Sequence, residues 1–286
     1  MSFEKKENIK RGTITILVAC HKLDPAIRQN ATYMPIQVGK ELHPELDLGF
    51  QKDNTGDNIS SKNDSYCELT ALYWAWKNLK DIDYIGLCHY RRYFDISKLN
   101  CSIQELLHSY DFIILKRKRL YTNIITEMSS LTSWEDAYIF IDILLKTFPN
   151  NHNLIYDYFY CSNKFTICNM FITSKHRFDE YCSFIFEVLH LFELSLRPSG
   201  YTRMKRVIGY FSEPLLGFWL LLNKCSYKEL PMETPLIQKK PSLFRKIINE
   251  TRIQLAYTFR YASLRKKSQK FFEDWVMVGL KQDGIM

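Results

Sequence analysis

The run Thr13-Ile14-Thr15-Ile16-Leu17-Val18-Ala19-Cys20 is rich in β-branched residues, carries no charge and stops at His21 and Lys22. Branching at Cβ suits the pleated surface of a strand, and an apolar run without alternation is covered on both faces. The segment reads as a buried first strand, with His21 and Lys22 just beyond its carboxyl end. Similar short apolar runs recur at residues 83–88, 111–115 and 167–173. Helical patterns lie between and after them. Ser65 and Glu68 have the spacing of a capping box, and Leu69, Leu72, Tyr73, Trp76 and Leu79 follow at helical intervals, which predicts a helix over about residues 66–80. A second helix is expected over residues 179–194, and a third from near Ser212, where Ser, Glu and Pro suit a first turn. Strands alternating with helices imply an α/β sandwich with a mainly parallel sheet, whose ligands bind beyond the carboxyl ends of the strands.

A chain of 286 residues with 46% hydrophobic content can bury a sizeable core, as one large or two small domains. The opening MSFEKKENIKRG lacks the apolar core of a secretory signal, and no stretch of 18 apolar residues runs without a charge. The expected setting is the cytoplasm. The eight cysteines form no Cys-x-x-Cys pair and several sit in apolar runs, the pattern of buried thiols in a reducing compartment. The net charge of +8 is uneven: residues 239–270 hold ten Lys or Arg against the single acid Glu250, a net +9, which leaves −1 for the rest. A near-neutral body with a basic tail weakens the reading as a nucleic-acid binder and fits a folded enzyme. The tail follows Pro231, Pro235 and Pro241, which sets a division into a catalytic region over 1–238 and a basic helical appendage over 239–286.

The densest chemistry is His89-Tyr90-Arg91-Arg92-Tyr93-Phe94, at the end of the strand predicted over residues 83–88. Guanidinium forks match phosphate geometry and stay charged, so Arg91 and Arg92 with His89 could neutralise a departing nucleotide diphosphate. One lone arginine would more simply pair with a surface acid. Upstream, Gly56-Asp57-Asn58-Ile59-Ser60-Ser61-Lys62-Asn63 feeds a helix start, either as an anion or ribose site or as an ordinary capping loop. Asn169, polar among the apolar neighbours Met170, Phe171 and Ile172, needs a partner that is either a sugar hydroxyl or a backbone carbonyl. The pair Asp81 and Asp83 precedes its strand, at the wrong end to hold a metal for the reaction.

The segments ILVACHK, MPIQVG, GDNISSKNDSYCELTALYWAWKN, YIGLCHYRRYF, CNMFI and RVIGYFSEPLLGFWL, in that order over roughly residues 13–222, resemble a family of bacterial capsule and O-antigen glycosyltransferases long catalogued as a domain of unknown function. Galactofuranosyltransferases are among its characterised members. The resemblance implies a nucleotide-sugar-binding α/β fold of the GT-A type, with donor-side residues His21, Lys22, Asp57, Asn58, Lys62, Asn63, His89, Arg91 and Arg92. It makes Glu213, in the pattern Arg206-x-x-Gly209-x-x-x-Glu213, the candidate base or acceptor ligand, with Asp136 as a competing catalytic carboxylate and Arg206 and Asn169 on the acceptor side. A first-turn Glu213 would alternatively serve only the helix dipole. Many GT-A enzymes hold a divalent metal with Asp-x-Asp at a strand end. Here His89-Tyr90-Arg91-Arg92 takes that place, which predicts metal-independent transfer with no cofactor beyond the UDP-sugar donor; the transfer is expected to be inverting, and the resemblance alone favours galactofuranose or galactose as the sugar. The expected acceptor is a lipid-linked saccharide. In the tail, Leu243, Phe244, Ile247, Ile248, Ile253, Leu255, Ala256, Phe259 and Leu264 interleave with the cations, so residues 239–270 are expected to attach peripherally to the anionic inner face of the cytoplasmic membrane. The rival readings are a solvated helix packed on the body and, for the whole chain, a non-catalytic polysaccharide-assembly partner.

Overall fold

The computed structural model describes residues 12–97, 99–197, 205–233, 242–261 and 275–286. Its strands are β1 (Ile14–Cys20), β2 (Tyr33–Gln37), β3 (Gln51–Lys52), β4 (Tyr84–His89), β5 (Tyr93–Phe94), β6 (Phe112–Leu115), β7 (Lys118–Arg119), β8 (Lys164–Phe165), β9 (Phe171–Ser174), β10 (Tyr227–Leu230) and β11 (Met232–Glu233). The helices are α1 (Asn63–Tyr66), α2 (Leu69–Asn78), α3 (Ile103–Ser109), α4 (Ile124–Leu131), α5 (Trp134–Thr147), α6 (His152–Phe159), α7 (Lys175–Ser195), α8 (Val207–Leu222), α9 (Leu243–Tyr261) and α10 (Trp275–Gln282). Seven strands form one sheet in the order β10-β6-β9-β4-β1-β2-β3. β1 pairs in parallel with β2 and β4, β2 with β3, and β10 with β6. β9 alone runs antiparallel, between β4 and β6. The fold is α/β with a mostly parallel central sheet. Reversing β9 matters for the site, because it brings the turn before that strand to the edge where β1 and β4 end.

Alternation along β1 sends Leu17 and Ala19 into the larger core and Ile16, Val18 and Cys20 into a smaller one on the opposite face. The larger core is closed by α2 and by α4 to α8, and the smaller by Tyr90, Tyr93 and Phe94 with α3 packed at its margin. At Gly86, where β4 meets β9, an added Cβ would stand 2.7 Å from the Phe171 carbonyl, so only glycine lets those strands close. None of the eight cysteines is in a disulfide. Among the described residues no helix is long and apolar enough to cross a membrane.

Four local expectations are corrected. The single helix over residues 66–80 is two helices broken at Cys67, whose φ of 52° cannot continue a helix. Ser65 therefore lies inside α1, no capping box forms, and Glu68 sits between the two helices with its side chain free for other work. Asn169 is not in a strand: Cys168 and Asn169 have φ of 65° and 48° and form the turn that enters β9. The third helix begins at Val207, so Ser212 and Glu213 are interior and Pro214 lies within the helix. Burial of Val207, Ile208 and Phe211 starts the helix earlier than the Ser-Glu-Pro signal suggests. Pro214 has no amide to give the Tyr210 carbonyl one turn earlier, and the helix is held in place here by side chains of its neighbours. In this region the Pro214 carbonyl accepts from Tyr158 Oη at 2.9 Å and that of Glu213 accepts from Thr166 Oγ1. The second helix is longer than expected, capped by Ser174 Oγ, which accepts from the Arg177 amide.

Candidate active site

A cavity of about 820 Å³ opens beyond the carboxyl ends of β1 and β4. β1 contributes Ala19 and, just past its end, His21; the end of β4 leads into His89, Tyr90, Arg91 and Arg92. The break between α1 and α2 adds Asn63, Asp64, Cys67 and Glu68, and the turn before β9 adds Cys168. Lys205, Arg206 and Glu213 complete the wall from α8 and its approach.

The residues from His89 to Arg92 form a tight turn closed by reciprocal backbone bonds, with the Arg92 amide donating to His89 O at 3.0 Å and the His89 amide to Arg92 O at 3.3 Å. That turn throws both arginines to the cavity side of the sheet edge. Arg91 lies over the Tyr90 ring at 4.6 Å, donates to its hydroxyl and meets one acid, Asp24, at 3.6 Å. Tyr90 in turn stands edge-on to His21. His89 Nε2 is 2.8 Å from the Cys168 carbonyl, which can only accept, so that nitrogen carries the proton and Nδ1 is left as the other face of the ring. Burial, followed by the charges of Lys22, Arg91, Arg206 and His89, holds His21 below the usual histidine range. Burial accounts for most of that depression, and the neighbouring cations add to it.

The cavity also holds carboxylates. Glu213 is pushed up to about 8, first by burial and then by the charge of Glu68; the Cys168 amide, Arg92 and Lys118 offset this only in part. At neutral pH it is mostly a protonated acid. Glu68 Oε1 accepts from Asn169 Nδ2 at 2.9 Å and lies 3.8 Å from His89 Nε2. Asn169 is almost fully buried behind the wall and also donates to Ser212 Oγ at 2.8 Å, while Ser212 Oγ donates to the Gly209 carbonyl. Its two amide hydrogens thus meet a carboxylate and a hydroxyl of the protein, while its side-chain carbonyl oxygen is buried without a partner among the described residues. Arg206 Nε donates to Cys67 Sγ at 3.3 Å, joining α8 to the helix break. Burial and the Glu68 charge push the Cys67 thiol up to about 11, despite Arg206, so it is a packing group and not a nucleophile.

Of the residues singled out in the sequence, His21, Asn63, His89, Arg91, Arg92, Arg206 and Glu213 line this one cavity. Asn63 builds its wall: the side-chain amide donates to Cys67 O at 2.7 Å and Thr70 Oγ1 at 3.0 Å, fixing the break. Lys22 is exposed and reaches the site through its charge on His21. Asp57, Asn58 and Lys62 are held elsewhere. The Asp57 carboxylate accepts from Tyr73 Oη, the Asn58 side chain bonds its own loop at Gly56 and Ser60, and Lys62 pairs with Glu193 at 2.7 Å beside a separate hollow. Asp136 does not line the cavity; it sits in the first turn of α5, where its amide donates to Ser133 Oγ and burial raises its carboxyl. Glu68, Tyr90, Cys168 and Lys205 were missed by sequence reasoning. Tyr90 and Cys168 stood within quoted segments, and Glu68 left a signal as an acid within the GDNIS-to-WAWKN stretch that its capping-box spacing disguised.

The sequence model of the family described as Domain of unknown function (DUF4422) matches residues 15–224. The chain belongs to that family. The matched span holds every cavity residue named above. No curated protein matches the chain. Among solved structures, this DUF4422 chain is similar to one described as the apo structure of the bifunctional glycosyltransferase WbbM, with 27% identity and a TM-score of 0.72 over 79% of its length. The chain covers 46% of that structure, so it spans less than half the length of its neighbour. The fold of this DUF4422 chain is glycosyltransferase-like.

Proposed function

We propose that the chain transfers a sugar, galactofuranose or galactose, from a UDP-linked donor to a lipid-linked saccharide in the assembly of a surface polysaccharide. One observation carries the reading: four cationic side chains, Arg91, Arg92, Lys205 and Arg206, meet a half-buried carboxylic acid, Glu213, in one cavity at the carboxyl edge of a glycosyltransferase-like sheet. In the reaction an acceptor hydroxyl attacks the anomeric carbon from the face opposite the diphosphate. The new carbon–oxygen bond forms as the bond to the β-phosphate oxygen breaks, UDP takes the electron pair, and the hydroxyl proton passes to ionised Glu213. Arg91, Arg92 and Arg206 oppose the charge that grows on the leaving diphosphate, with His21 and His89 beside them. Burial, with the charge of Glu68 fixed by Asn169 adding to it, holds the proton affinity of Glu213 high, which makes it a strong base once ionised.

The transfer is metal-independent on this reading, since guanidinium groups stand at the strand end where a metal-binding Asp-x-Asp pair would be. Purified protein screened against a panel of nucleotide sugars tests both parts, because a ligand that binds the folded state raises the melting temperature by mass action. A UDP-sugar should raise it equally with and without EDTA, and Glu213→Gln should retain that shift while losing about two or more orders of magnitude in turnover. No shift with any nucleotide sugar, or activity abolished by EDTA and restored by Mn²⁺, would count against it.

A further inference from the structure

Helix α9 has two apolar faces. On the first, Ile253 and Tyr257 are buried against the body, and Tyr257 Oη donates to the Cys161 carbonyl at 2.6 Å. Gln254 and Glu250 flank that face, taking Arg119 at 2.6 Å and Lys116 at 3.4 Å. One such face is enough to dock a helix. The second points away from the protein. Phe244 is 72% exposed, Ile248 50%, Leu255 54% and Phe259 82%, and at about 100° per residue these four fall within roughly 60° of arc. Ile247, also exposed, widens the stripe on one side, and the exposed Arg245 and Arg252 run along the other.

A stripe of large apolar side chains on a docked helix is costly to leave in water. Charge decides what covers it. A second copy of the same helix would bring Arg245 and Arg252 against their own kind, and the one acid of residues 239–270, Glu250, is already engaged by Lys116. A nucleic acid would meet the cations and leave the stripe wet. An anionic bilayer meets both, with apolar residues at the acyl boundary and guanidinium groups among the phosphates. We propose that α9 lies in the plane of an anionic membrane surface, with Phe244, Ile248, Leu255 and Phe259 buried in it and Arg245 and Arg252 at its phosphates. The placement has a consequence for the cavity. α9 rests on β7 through Arg119, and the charge of Lys118 in the same two-residue strand acts on Glu213. On the function proposed above, a helix seated on the membrane would set the β7 side of the body toward the surface where the saccharide is anchored.

The test is flotation of the full chain with vesicles of phosphatidylethanolamine and phosphatidylglycerol, and with neutral phosphatidylcholine vesicles. The wild type should float with the anionic vesicles and stay behind with the neutral ones. Phe244→Glu combined with Leu255→Glu should reduce flotation at least tenfold, and Arg245→Gln or Arg252→Gln by roughly fivefold each, from about 1 kcal/mol per cation at the surface. All variants should keep the wild-type melting temperature and its shift with a nucleotide sugar, so binding to lipid and binding of donor are read separately. Wild-type protein that fails to float, or a double variant that floats like the wild type, overturns the proposal. So does a double variant that turns a dimer into a monomer in light scattering while still binding vesicles, since the stripe would then be a contact between copies.

Discussion

Glu213 concentrates the chemistry of the cavity into one proton. A carboxyl that holds its proton to about pH 8 is a weak base at pH 6 and a full one above 8. If it receives the acceptor proton, kcat/KM should climb about tenfold per pH unit below 8 and level off above, because that ratio reports the free enzyme. A profile flat from pH 6 to 9 would remove Glu213 from the role. The same shift has a stability consequence of fixed sign. In the unfolded chain the group loses its proton near its ordinary value of 4.5, while the folded chain keeps it to about 8. Between those values the folded state binds the extra proton, so stability falls as pH rises through this window and the loss is complete above it. Glu213→Gln has no proton to lose. It should melt above the wild type at pH 9, with the gap closing by pH 5, and melting curves at the two pH values check this. A site that is less stable with its base ionised is the kind of local cost that function retains.

At the level of elements, the site depends on a helix that breaks. Cys67 in the left-handed region ends α1, lets Glu68 turn inward and sets its thiol against α8. Gly209 is where α8 comes close: a Cβ there would lie 2.9 Å from Cys67 Sγ and 3.4 Å from the Ser65 carbonyl. Gly209→Ala should therefore push α8 away from the break, with a stability loss of about 1–3 kcal/mol of overpacking. Arg206, one turn earlier, would lose its bond to Cys67, so the same variant should bind UDP-sugar more weakly; urea denaturation and donor titration measure the two effects. This is also where the sequence was least legible. β1, β4 and β6 are visible because β-branched apolar runs announce buried strands, and the turn from His89 to Arg92 because charge at a strand end has few structural uses. The break at Cys67 has no local signature. Leu69, Leu72 and Trp76 set a helical period after it that runs on smoothly from Ser65 and Tyr66, and the kink is pinned by side chains, Asn63 bonding Cys67 O and Thr70 and Arg206 reaching the Cys67 thiol. The reversed β9 was equally hidden, since strand direction follows from packing and not from composition. Asp57, Asn58 and Lys62 drew attention as a polar loop before a helix, yet Tyr73, their own loop and Glu193 satisfy them first.

At the scale of the whole chain, the basic C-terminal helices and the sheet behave as one body in packing terms. α10 inserts Val276 and Leu280 into the larger core beside α5, and α9 buries Ile253 and Tyr257. A tail that merely tethered the body would leave those side chains in water. If α10 shares the cooperative unit, Leu280→Ala leaves a cavity under α5 and costs about 2–5 kcal/mol, which for a domain of this size lowers the melting temperature by roughly 5–10 °C. A single calorimetric transition, shifted as a whole, is the expected result. An unshifted main transition, or a new small one at lower temperature, would instead mark the C-terminal helices as a separate unit. Sharing one transition has a thermodynamic corollary. A nucleotide sugar bound beyond β1 and β4 stabilises the folded state everywhere, α9 and α10 included. The donor should then restore part of the melting temperature that Leu280→Ala removes, although that side chain lies outside the cavity lining and touches no ligand. Such recovery links the site at the sheet edge to the helix that presents its apolar stripe outward.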